Sequence, residues 1–459
     1  MKYENSNYYI DFSFYNKKAM DSSCITIFKK MKDNSERFTA ISLFSSGGIG
    51  DIAARAANID ILVSNELLPD RCSIFSANFP ETKMIVGDIY KNVENIIKET
   101  KSRLNGNELD FAFATPPCQG MSQNGMGTLL KGIREGKKPK LDVRNKLIVP
   151  ALDIICALKP RIVVFENVPN MQNTVISTGE KYINIIDYIK IRLGVDYAGK
   201  AEVVEFADYG VPQMRQRLIT IFSRTKSMKD LLYKKGSLLP ERTHAQNPMP
   251  LLGIKKWVTV RDAIYKLPKL DAKSKETATS NIEWHRVPIL SPEKYFWVEH
   301  TPIGKGAFDN QCIICGFQGN PSHGAKKDKD GINRPNKNTP LYCIKCGALL
   351  PRPYVIENGQ KRIMSGFTSA YKRMDWDKPA STLTKNFSYA CSDHKLHPEQ
   401  NRVLSLYEAF ILHTINDFDY HWKKLDGSNP SDKTIREIIG ESIPPRGLSK
   451  IYTYLTNYL

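Results

Sequence analysis

Residues 38–51, FTAISLFSSGGIGD, decide the fold of this chain. They begin with an apolar run typical of a buried strand, and glycines 47, 48 and 50 follow it directly. Glycine lets a ligand approach the main chain closely, and the N-terminus of the helix predicted to follow favours polar or anionic groups. Glycine also meets steric needs in many strand–helix turns, so this turn alone does not establish a binding site.

The alternation of strand and helix continues to about residue 224. Strands are predicted at 38–44, 59–65, 83–86, 109–115, 161–165, 201–206 and 218–222, and helices at 51–57, 70–79, 93–101 and 145–158. This alternation is typical of a mostly parallel sheet with helices on both faces. We therefore predict an α/β fold of the Rossmann-like kind.

Two carboxylates follow the next two predicted strands. Glu66 ends the second strand about twenty residues after the glycines, where an acidic side chain can bind ribose hydroxyls. Asp88 follows the third strand and is expected at the same edge of the sheet. Solvated loop carboxylates are the alternative interpretation, but together with the glycine turn the pair favours a ligand that contains adenosine.

The tetrapeptide Pro116-Pro117-Cys118-Gln119 follows the predicted strand 109–115. A cysteine just past the end of a strand, behind two prolines that stiffen the main chain, is placed for nucleophilic chemistry. A free cysteine is more often a small buried residue without reactivity, so Cys118 depends on its surroundings for this role.

Composition limits the function classes. Of 459 residues, 66 are Lys or Arg and 48 are Asp or Glu, and the resulting net charge of +18 indicates a polyanionic partner such as nucleic acid. No apolar stretch is long enough for a transmembrane helix, the first residues do not resemble a secretory signal, and the nine cysteines suit a reducing compartment. We expect a cytoplasmic protein without a membrane partner.

Changes in composition and in the pattern of predicted elements divide the chain into four predicted segments. These are an N-terminal arm at 1–37, a catalytic domain at 38–238, an inserted domain at 239–365 and a C-terminal segment at 366–459. The insert contains Cys312, Cys315, Cys343 and Cys346, two CxxC pairs each followed by glycine, within a module at about 310–350. This spacing is typical of a structural zinc site with four thiolates. Four reduced core thiols are the alternative interpretation. His323 lies between the two pairs and could replace one cysteine as a ligand, but four thiolates already complete the coordination shell.

The ordered set of motifs resembles the DNA (cytosine-5) methyltransferase family from residue 38 to the C-terminus. The set includes the glycine turn, Glu66, Asp88, the Pro-Pro-Cys-Gln motif and residues 142–145, 166–168 and 213–217. Arg373, Pro379, Thr382, Thr384, His397-Pro398 and Arg402 resemble the ninth family motif, and residues 440–445 resemble the tenth. Two positions depart from the pattern: Ser46 stands where the first glycine is common, and Glu441 replaces a usual asparagine.

The resemblance implies the fold of an S-adenosylmethionine-dependent methyltransferase with a smaller, zinc-containing target-recognition domain. It implies catalytic roles for Cys118, Glu166, Asn167, Arg215 and Arg217. It implies cofactor contacts from Phe44, Ser45, Ser46, Gly47, Gly48, Gly50, Glu66, Leu67, Asp88, Ile89, Pro117, Glu441 and Ser442. In this scheme Cys118 attacks carbon 6 of a cytosine that has been flipped out of duplex DNA, and Glu166 hydrogen-bonds or protonates ring N3.

The resemblance also implies further partners and alternatives. The basic residues between 131 and 140 are expected to form a loop that closes on DNA, and Lys326, Lys327, Lys329, Arg334, Lys337 and Lys361 to contact phosphates. A monomer that protects host DNA in restriction–modification, with a cognate endonuclease acting separately, is the leading hypothesis. A tRNA cytosine-5 methyltransferase and a DNA-binding protein with an idle cofactor site are the alternatives.

Overall fold

A computed structural model of the chain describes residues 37–117, 146–178, 181–322, 325–327, 333–335, 339–364, 369–392 and 394–459, with the side chains of 177, 178, 181, 182, 325–327 and 333–335 left out. Several predictions lie outside the described residues. These are the N-terminal arm before residue 37, Cys118 with the basic loop and residues 142–145 that follow it, His323, and the predicted phosphate contacts Lys329 and Lys337.

A seven-stranded sheet forms the centre of the molecule, with strand order β3-β2-β1-β4-β5-β9-β8. Its strands are β1 (Phe38–Leu43), β2 (Ile59–Glu66), β3 (Lys83–Val86), β4 (Phe111–Ala114), β5 (Ile162–Asn167), β8 (Ala198–Glu205) and β9 (Gln216–Ser223). Neighbouring strands from β3 to β5 are parallel, whereas β9 is antiparallel to both β5 and β8. The predicted mostly parallel α/β sheet is confirmed.

Eleven α-helices lie in the described part of the chain. They are α1 (Ile49–Ala56), α2 (Pro69–Asn78), α3 (Ile89–Leu104), α4 (Ile148–Leu158), α5 (Ile185–Leu193), α6 (Lys226–Lys235), α7 (Val260–Ile264), α8 (Pro292–Glu299), α9 (Leu406–Leu412), α10 (Asp432–Glu441) and α11 (Pro445–Thr456). The four helices predicted within 38–238 match α1 to α4 with small differences at their ends. Helices α5 and α6 were not predicted.

Short elements complete the description. Two-stranded sheets join β6 (Val175–Thr178) to β7 (Lys181–Asn184), β10 (His244–Ala245) to β11 (Lys255–Lys256), β12 (Ala325–Lys327) to β13 (Asn333–Pro335), and β14 (Tyr354–Glu357) to β15 (Gln360–Ile363). Single 3-10 turns lie at Pro169–Asn173, Phe206–Tyr209, Pro250–Leu252, Ala307–Asp309 and Ile415–Asp417.

Helices bury both faces of the sheet. Apolar side chains of α3, α4 and α5 pack on one face, where Ile96, Ile155 and Ile189 are fully buried. On the other face, Ala53 of α1 and Ile451 of α11 belong to one buried cluster. Helix α11 therefore packs against α1, since burial of apolar surface stabilises both.

The segment after residue 366 contacts both the sheet-covering helices and the insert. Ile438 of α10 lies in a buried cluster with Phe75 of α2, and Tyr371 lies in another with Trp297 of α8. Residues 38–459 pack as one compact unit, and the three predicted segments within it stay predictions. Among the described residues, no helix has both the length and the apolar character needed to cross a lipid bilayer.

Candidate active site

The turn between β1 and α1 is tightly packed. Phe44, Ser46 and Gly48 all have positive φ angles, of 64°, 52° and 86°. A Cβ atom on Gly48 would lie 2.6 Å from the ring of Phe79, so only glycine fits there without a shift. Ser45 Oγ is buried and has no hydrogen-bond partner among the described residues, which leaves a free polar group in this turn.

Glu66 lies directly beside this turn. Its side chain is buried, and its Oε2 accepts a hydrogen bond from the main-chain N–H of Ser46 at 2.9 Å. Oε1 accepts from the N–H of Leu68 at 2.9 Å, while Leu67 between them is exposed. Two main-chain donors thus hold the carboxylate at the carboxyl end of β2. The alternative interpretation of Glu66 as a freely solvated loop carboxylate is therefore excluded.

Asp88 is the first residue of the segment that leads into α3. Its Oδ1 accepts from the N–H of Tyr90 at 3.0 Å and caps the helix, while Ile89 between them is buried. The remainder of the Asp88 side chain is exposed. The two predicted carboxylates therefore follow neighbouring strands at the same edge of the sheet, since β2 and β3 are parallel.

Thr115 and Asn167 fix the start of the Pro-Pro-Cys-Gln segment. Thr115 Oγ1 donates to the carbonyl oxygen of Phe44 at 3.0 Å, which joins the end of β4 to the glycine turn. Asn167 Nδ2 donates to the carbonyl oxygen of Pro116 at 2.9 Å, and its Oδ1 accepts from the N–H of Val168 at 2.8 Å. Residues from β1, β4 and β5 thus meet at the segment that precedes Cys118; Pro117 is exposed and Cys118 lies outside the described residues.

Glu166 and Arg217 form a buried ion pair at this edge. The Nε atom of Arg217 lies 2.8 Å from Oε1 of Glu166, and the two side chains are 12% and 10% exposed. Oε1 still accepts no well-directed hydrogen bond from the described residues. Burial raises the pKa of the Glu166 carboxyl, and the positive charges of Arg217 and Arg215 oppose this shift.

Arg215 contacts the C-terminal segment. Nη1 donates to the carbonyl oxygen of Leu383 at 2.9 Å, and Nη2 donates to the carbonyl oxygens of Gly440 and Ser442. Its guanidinium is fully buried. The contacts show that Arg215 anchors the predicted ninth and tenth motifs to the start of β9, and its predicted role toward the base stays a prediction.

The tenth-motif segment reaches the glycine turn through side chains. Glu441 Oε2 lies 2.7 Å from Nη1 of Arg71, and the same Nη1 lies 3.4 Å from Oγ of Ser46. Ser442 Oγ contacts Nε2 of His413 at 2.9 Å. Burial lowers the pKa of His413 well below its usual value, so the imidazole is neutral here.

The four cysteines of the insert converge as predicted. The Sγ atoms of Cys312 and Cys346 are 3.6 Å apart, those of Cys315 and Cys343 are 3.8 Å apart, and all four lie within 4.8 Å of one another. A tetrahedral ion with metal–sulfur bonds of about 2.3 Å separates its sulfur atoms by about 3.8 Å. The side-chain amide of Asn320 lies 3.7 Å from the sulfur of Cys343, so a polar donor supports the cluster.

The family assignment follows from comparison with known proteins. The profile of the C-5 cytosine-specific DNA methylases matches residues 38–457. This chain belongs to that family. It is therefore a DNA (cytosine-5) methyltransferase, in agreement with the resemblance carried by its motifs.

Two curated relatives illustrate how far this methylase resembles known members. It is 29% identical over 428 residues to the type II methyltransferase M1.HgaI of Avibacterium volantium, covering 91% of this chain and 98% of the relative. It is 32% identical over 241 residues to the type II methyltransferase M.AquIA of Picosynechococcus sp., covering 50% of this chain and 88% of the relative.

A solved structure shares the fold of this methylase. The Dnmt2 methyltransferase of S. pombe superimposes with a TM-score of 0.50 at 14% identity, and the match covers 92% of this chain and 99% of that one. Since the identity is low, this likeness supports the fold alone.

Sequence reasoning missed Arg71 and His413 in this methylase. Arg71 lies in the first turn of α2, where an arginine is indistinguishable by sequence from a solvated surface residue. The one available clue was the charge of Glu441 at a position where the family usually has a neutral amide, because a carboxylate in a binding site needs a partner. His413 ends α9 and shows no sequence pattern that identifies its contact with Ser442.

Proposed function

We propose that this chain transfers a methyl group from S-adenosylmethionine to carbon 5 of a flipped-out cytosine in duplex DNA, through a covalent adduct of Cys118. The observation that carries the proposal is the arrangement around Pro116, where Asn167 holds the segment leading to Cys118 and the neighbouring Glu166 offers a buried carboxyl. The net charge of +18 favours a polyanionic substrate.

The glycine turn fits the adenosine-containing donor. Glu66 is held by two main-chain amides where a ribose hydroxyl can reach it, and the buried Ser45 Oγ has no hydrogen-bond partner among the described residues. Asp88 lies at the next strand end, with its side chain exposed apart from the cap. Bound there, the donor supplies an electrophilic methyl group on sulfur.

Cys118 and Glu166 then act in successive steps of the reaction. The Cys118 thiolate adds to carbon 6 of the cytosine, forming a carbon–sulfur bond and moving a ring electron pair toward N3. Glu166 donates a proton or a hydrogen bond to N3, and carbon 5 of the enamine forms a bond to the methyl group while the bond from that group to the donor sulfur breaks and its electron pair stays on sulfur. Loss of the proton from carbon 5 then expels the Cys118 thiolate, any proton on N3 returns to Glu166, and the ring is restored.

The raised pKa of Glu166 suits this role. A carboxyl that donates near neutral pH must keep its proton in part, and burial favours the neutral form. Arg217, 2.8 Å away, limits this shift and orients the carboxyl, so the two residues act together.

The experiment compares methyl transfer by the wild type with two cysteine variants. We expect Cys118→Ser to abolish incorporation of tritiated methyl groups into duplex DNA while DNA binding survives. Cys391→Ser, at an exposed free cysteine, is the matched control and should retain full activity. Methyl transfer by Cys118→Ser at the wild-type rate would exclude the covalent mechanism.

Parallel reactions with tRNA test the substrate. We expect incorporation into duplex DNA and none into tRNA; the opposite result would make RNA the substrate. Bisulfite sequencing of DNA from a host expressing the chain should show methylation at one sequence, as a host-protecting methyltransferase of restriction–modification requires. Methylation without sequence preference would contradict the protective role. The separate endonuclease and the monomeric state stay predictions.

We also propose that Cys312, Cys315, Cys343 and Cys346 hold one structural zinc ion. Two of the sulfur separations, 3.6 Å and 3.8 Å, match those of a four-thiolate tetrahedron, and such a site leaves no open position for catalysis. Gly316 and Gly347 follow the two CxxC pairs with φ angles of 70° and 73°, which permits the knuckle turns around an ion.

Metal content tests this site. The purified wild type and Cys391→Ser should carry one equivalent of zinc by elemental analysis, and Cys346→Ser should carry much less. A strong chelator should lower the melting temperature of the wild type, since binding energy contributes to folding. Metal-free wild type with an unchanged melting temperature would show that the four thiols are only reduced core residues.

A further inference from the structure

A short turn between β10 and β11 holds three apolar side chains out in the solvent. Leu251 is fully exposed, Leu252 is 72% exposed and Met249 is 39% exposed. Single exposed apolar residues are common on protein surfaces, but three of them on one turn form a patch that favours burial against a partner. Residues 249–254 are called the prong below.

The main chain closes the prong into a compact turn. Pro250–Leu252 form a 3-10 turn, and Gly253 ends it with a φ angle of 69°. The N–H of Met249 donates to the carbonyl oxygen of Ile254 at 2.9 Å, and the N–H of Ile254 donates back at 3.1 Å. Because the base of the prong is already ordered, a partner that covers its tip loses little affinity to the ordering of the chain.

Positive charge surrounds the prong. Residues 242–256 contain no Asp or Glu but three exposed cations, Arg242, Lys255 and Lys256. Burial and the positive charges of Arg446 and Lys255 lower the pKa of Lys450 on α11, as expected at a surface with excess positive charge. An apolar tip between cations suits a polyanion that also offers an apolar surface, and stacked bases between phosphates are such a partner.

The prong is attached at the edge of the sheet that carries Glu166. The N–H of Thr243 donates to the carbonyl oxygen of Asp208 at 2.9 Å, and Nε1 of Trp257 donates to Oδ1 of Asp208 at 2.8 Å. Asp208 lies in the turn that follows β8, and β8 runs in the same direction as β5 because both are antiparallel to β9. The ends of β5 and β8 are therefore about 10 Å apart, which is the length of about three base pairs.

We propose that the prong inserts its apolar tip into the minor groove of the DNA substrate about three base pairs from the target cytosine and kinks the duplex there, while Lys255 and Lys256 bind the flanking phosphates. This inference rests on the proposed function, because it takes duplex DNA as the substrate. Leu, Met and Pro are side chains that proteins insert between base steps in this groove. Partial unstacking beside the target lowers the cost of extruding the cytosine.

DNA bending tests the wedge. The full chain is bound to a short duplex that carries the methylated sequence and a fluorophore at each end. We expect the wild type to bring the two ends closer together, and Leu251→Ser with Leu252→Ser to leave them as far apart as in free DNA. The same double variant should bind the duplex about 10-fold more weakly by fluorescence anisotropy, since it loses the apolar contact.

Two further variants separate the wedge from a general surface effect. Leu251→Met with Leu252→Met keeps the tip apolar and should retain the bend. Ile191→Ser with Val195→Ser is the matched control, because these side chains are 66% and 100% exposed and precede β8, at the opposite edge of the sheet. The control should bend and bind DNA as the wild type does, and all variants should keep the wild-type melting temperature.

Salt dependence tests the two lysines. Lys255→Gln with Lys256→Gln should reduce the slope of log affinity against log salt concentration by about 2, the value for two lost phosphate contacts. The leucine double variant should keep the wild-type slope, since its side chains carry no charge. An unchanged slope in the lysine variant would remove Lys255 and Lys256 from the DNA contact.

A protein partner or a second copy of this chain is the alternative occupant of the prong. A dimer of the wild type in sedimentation that the leucine variant dissociates, with DNA binding intact, would overturn the wedge. Wild-type bending and affinity in the leucine variant would overturn it as well. A wild type that methylates duplex DNA without bending it would refute this inference alone, whereas a wild type that binds no duplex DNA would refute the proposed function too.

Discussion

Two buried carboxylate–arginine pairs in this molecule have opposite electrostatic character. Glu166 pairs with Arg217 at the edge of the sheet, and Glu408 pairs with Arg402 beside α9. Both carboxylates lie close to a guanidinium, 2.8 Å away in the first pair and 2.7 Å in the second. Yet the pKa of Glu166 is raised and that of Glu408 is lowered to about 2.

The difference lies in hydrogen bonding. Burial acts to raise the pKa of Glu408 too, but Arg402 donates to both oxygens, at 2.7 Å and 2.8 Å, and the N–H of Ser405 donates at 2.8 Å. Oε1 of Glu166 lies 2.8 Å from Nε of Arg217 but accepts no well-directed hydrogen bond from the described residues. A buried carboxylate whose oxygens all accept hydrogen bonds is typical of a structural ion pair, whereas a buried carboxyl with a free acceptor oxygen is available for chemistry.

The largest expected effect breaks the pair that we propose to be catalytic. Glu166→Gln removes the proposed proton donor for ring N3, so single-turnover methyl transfer should fall about 100- to 10,000-fold, the range for general acid catalysis. Some loss of melting temperature should accompany this, because Arg217 stays buried beside a neutral amide. Tritiated-methyl transfer and thermal unfolding on the same preparation check both, and near-normal turnover would remove Glu166 from the acid role.

The second expected effect breaks the structural pair. Glu408→Gln leaves Arg402 buried, with neither side chain exposed to solvent, and opposite a neutral amide. Loss of one member of a buried ion pair costs about 3–5 kcal/mol of unfolding free energy. Urea unfolding should show this loss, while methyl transfer per folded molecule should stay normal. A variant as stable as the wild type but inactive would reverse the roles assigned to the two pairs.

The contrast between these pairs could be predicted from sequence only in part. Glu166, Arg217 and Arg402 were each identified from short motifs, and the strand that leads to Glu166 was predicted from the alternation of strands and helices. The 2.8 Å contact depends on β9 running antiparallel to β5, which places Asn167 opposite Leu218. Strand direction is set by tertiary packing, and the short apolar run at 218–222 contains no information about it.

Other parts were missed for local reasons. Helix α6 has the sequence KSMKDLLYKK, whose charges conceal the single buried side chain, Met228, that packs on the sheet. Arg71 faces Glu441 only after α10 folds back onto α2, a contact between segments far apart in the chain. In contrast, the four clustered cysteines of the insert were predicted together, because CxxC spacing is itself a local geometric constraint.

The smallest expected effect is a difference in how the stability contributions of Glu166 and Glu408 depend on pH. A raised pKa means that folding favours the protonated carboxyl. The Glu166 contribution to stability is therefore present below pH 4.5, the usual value of glutamate, and is lost as the pH rises through the folded-state pKa. For Glu408 the folded-state pKa is about 2, so its contribution is present above pH 4.5 and is lost as the pH falls toward 2.

Unfolding free energies of each Gln variant relative to the wild type, measured from pH 3.5 to 8, should therefore change in opposite directions. The loss of unfolding free energy caused by Glu408→Gln should become smaller as the pH falls. The unfolding free energy of Glu166→Gln should increase relative to that of the wild type as the pH rises. Glu99→Gln, in a partly exposed pair with Arg103 on α3, is the control and should stay within about 1 kcal/mol of the wild type throughout. Parallel pH curves for the two buried carboxylates would show that they share one electrostatic state, and Glu166 would then be a second structural ion pair.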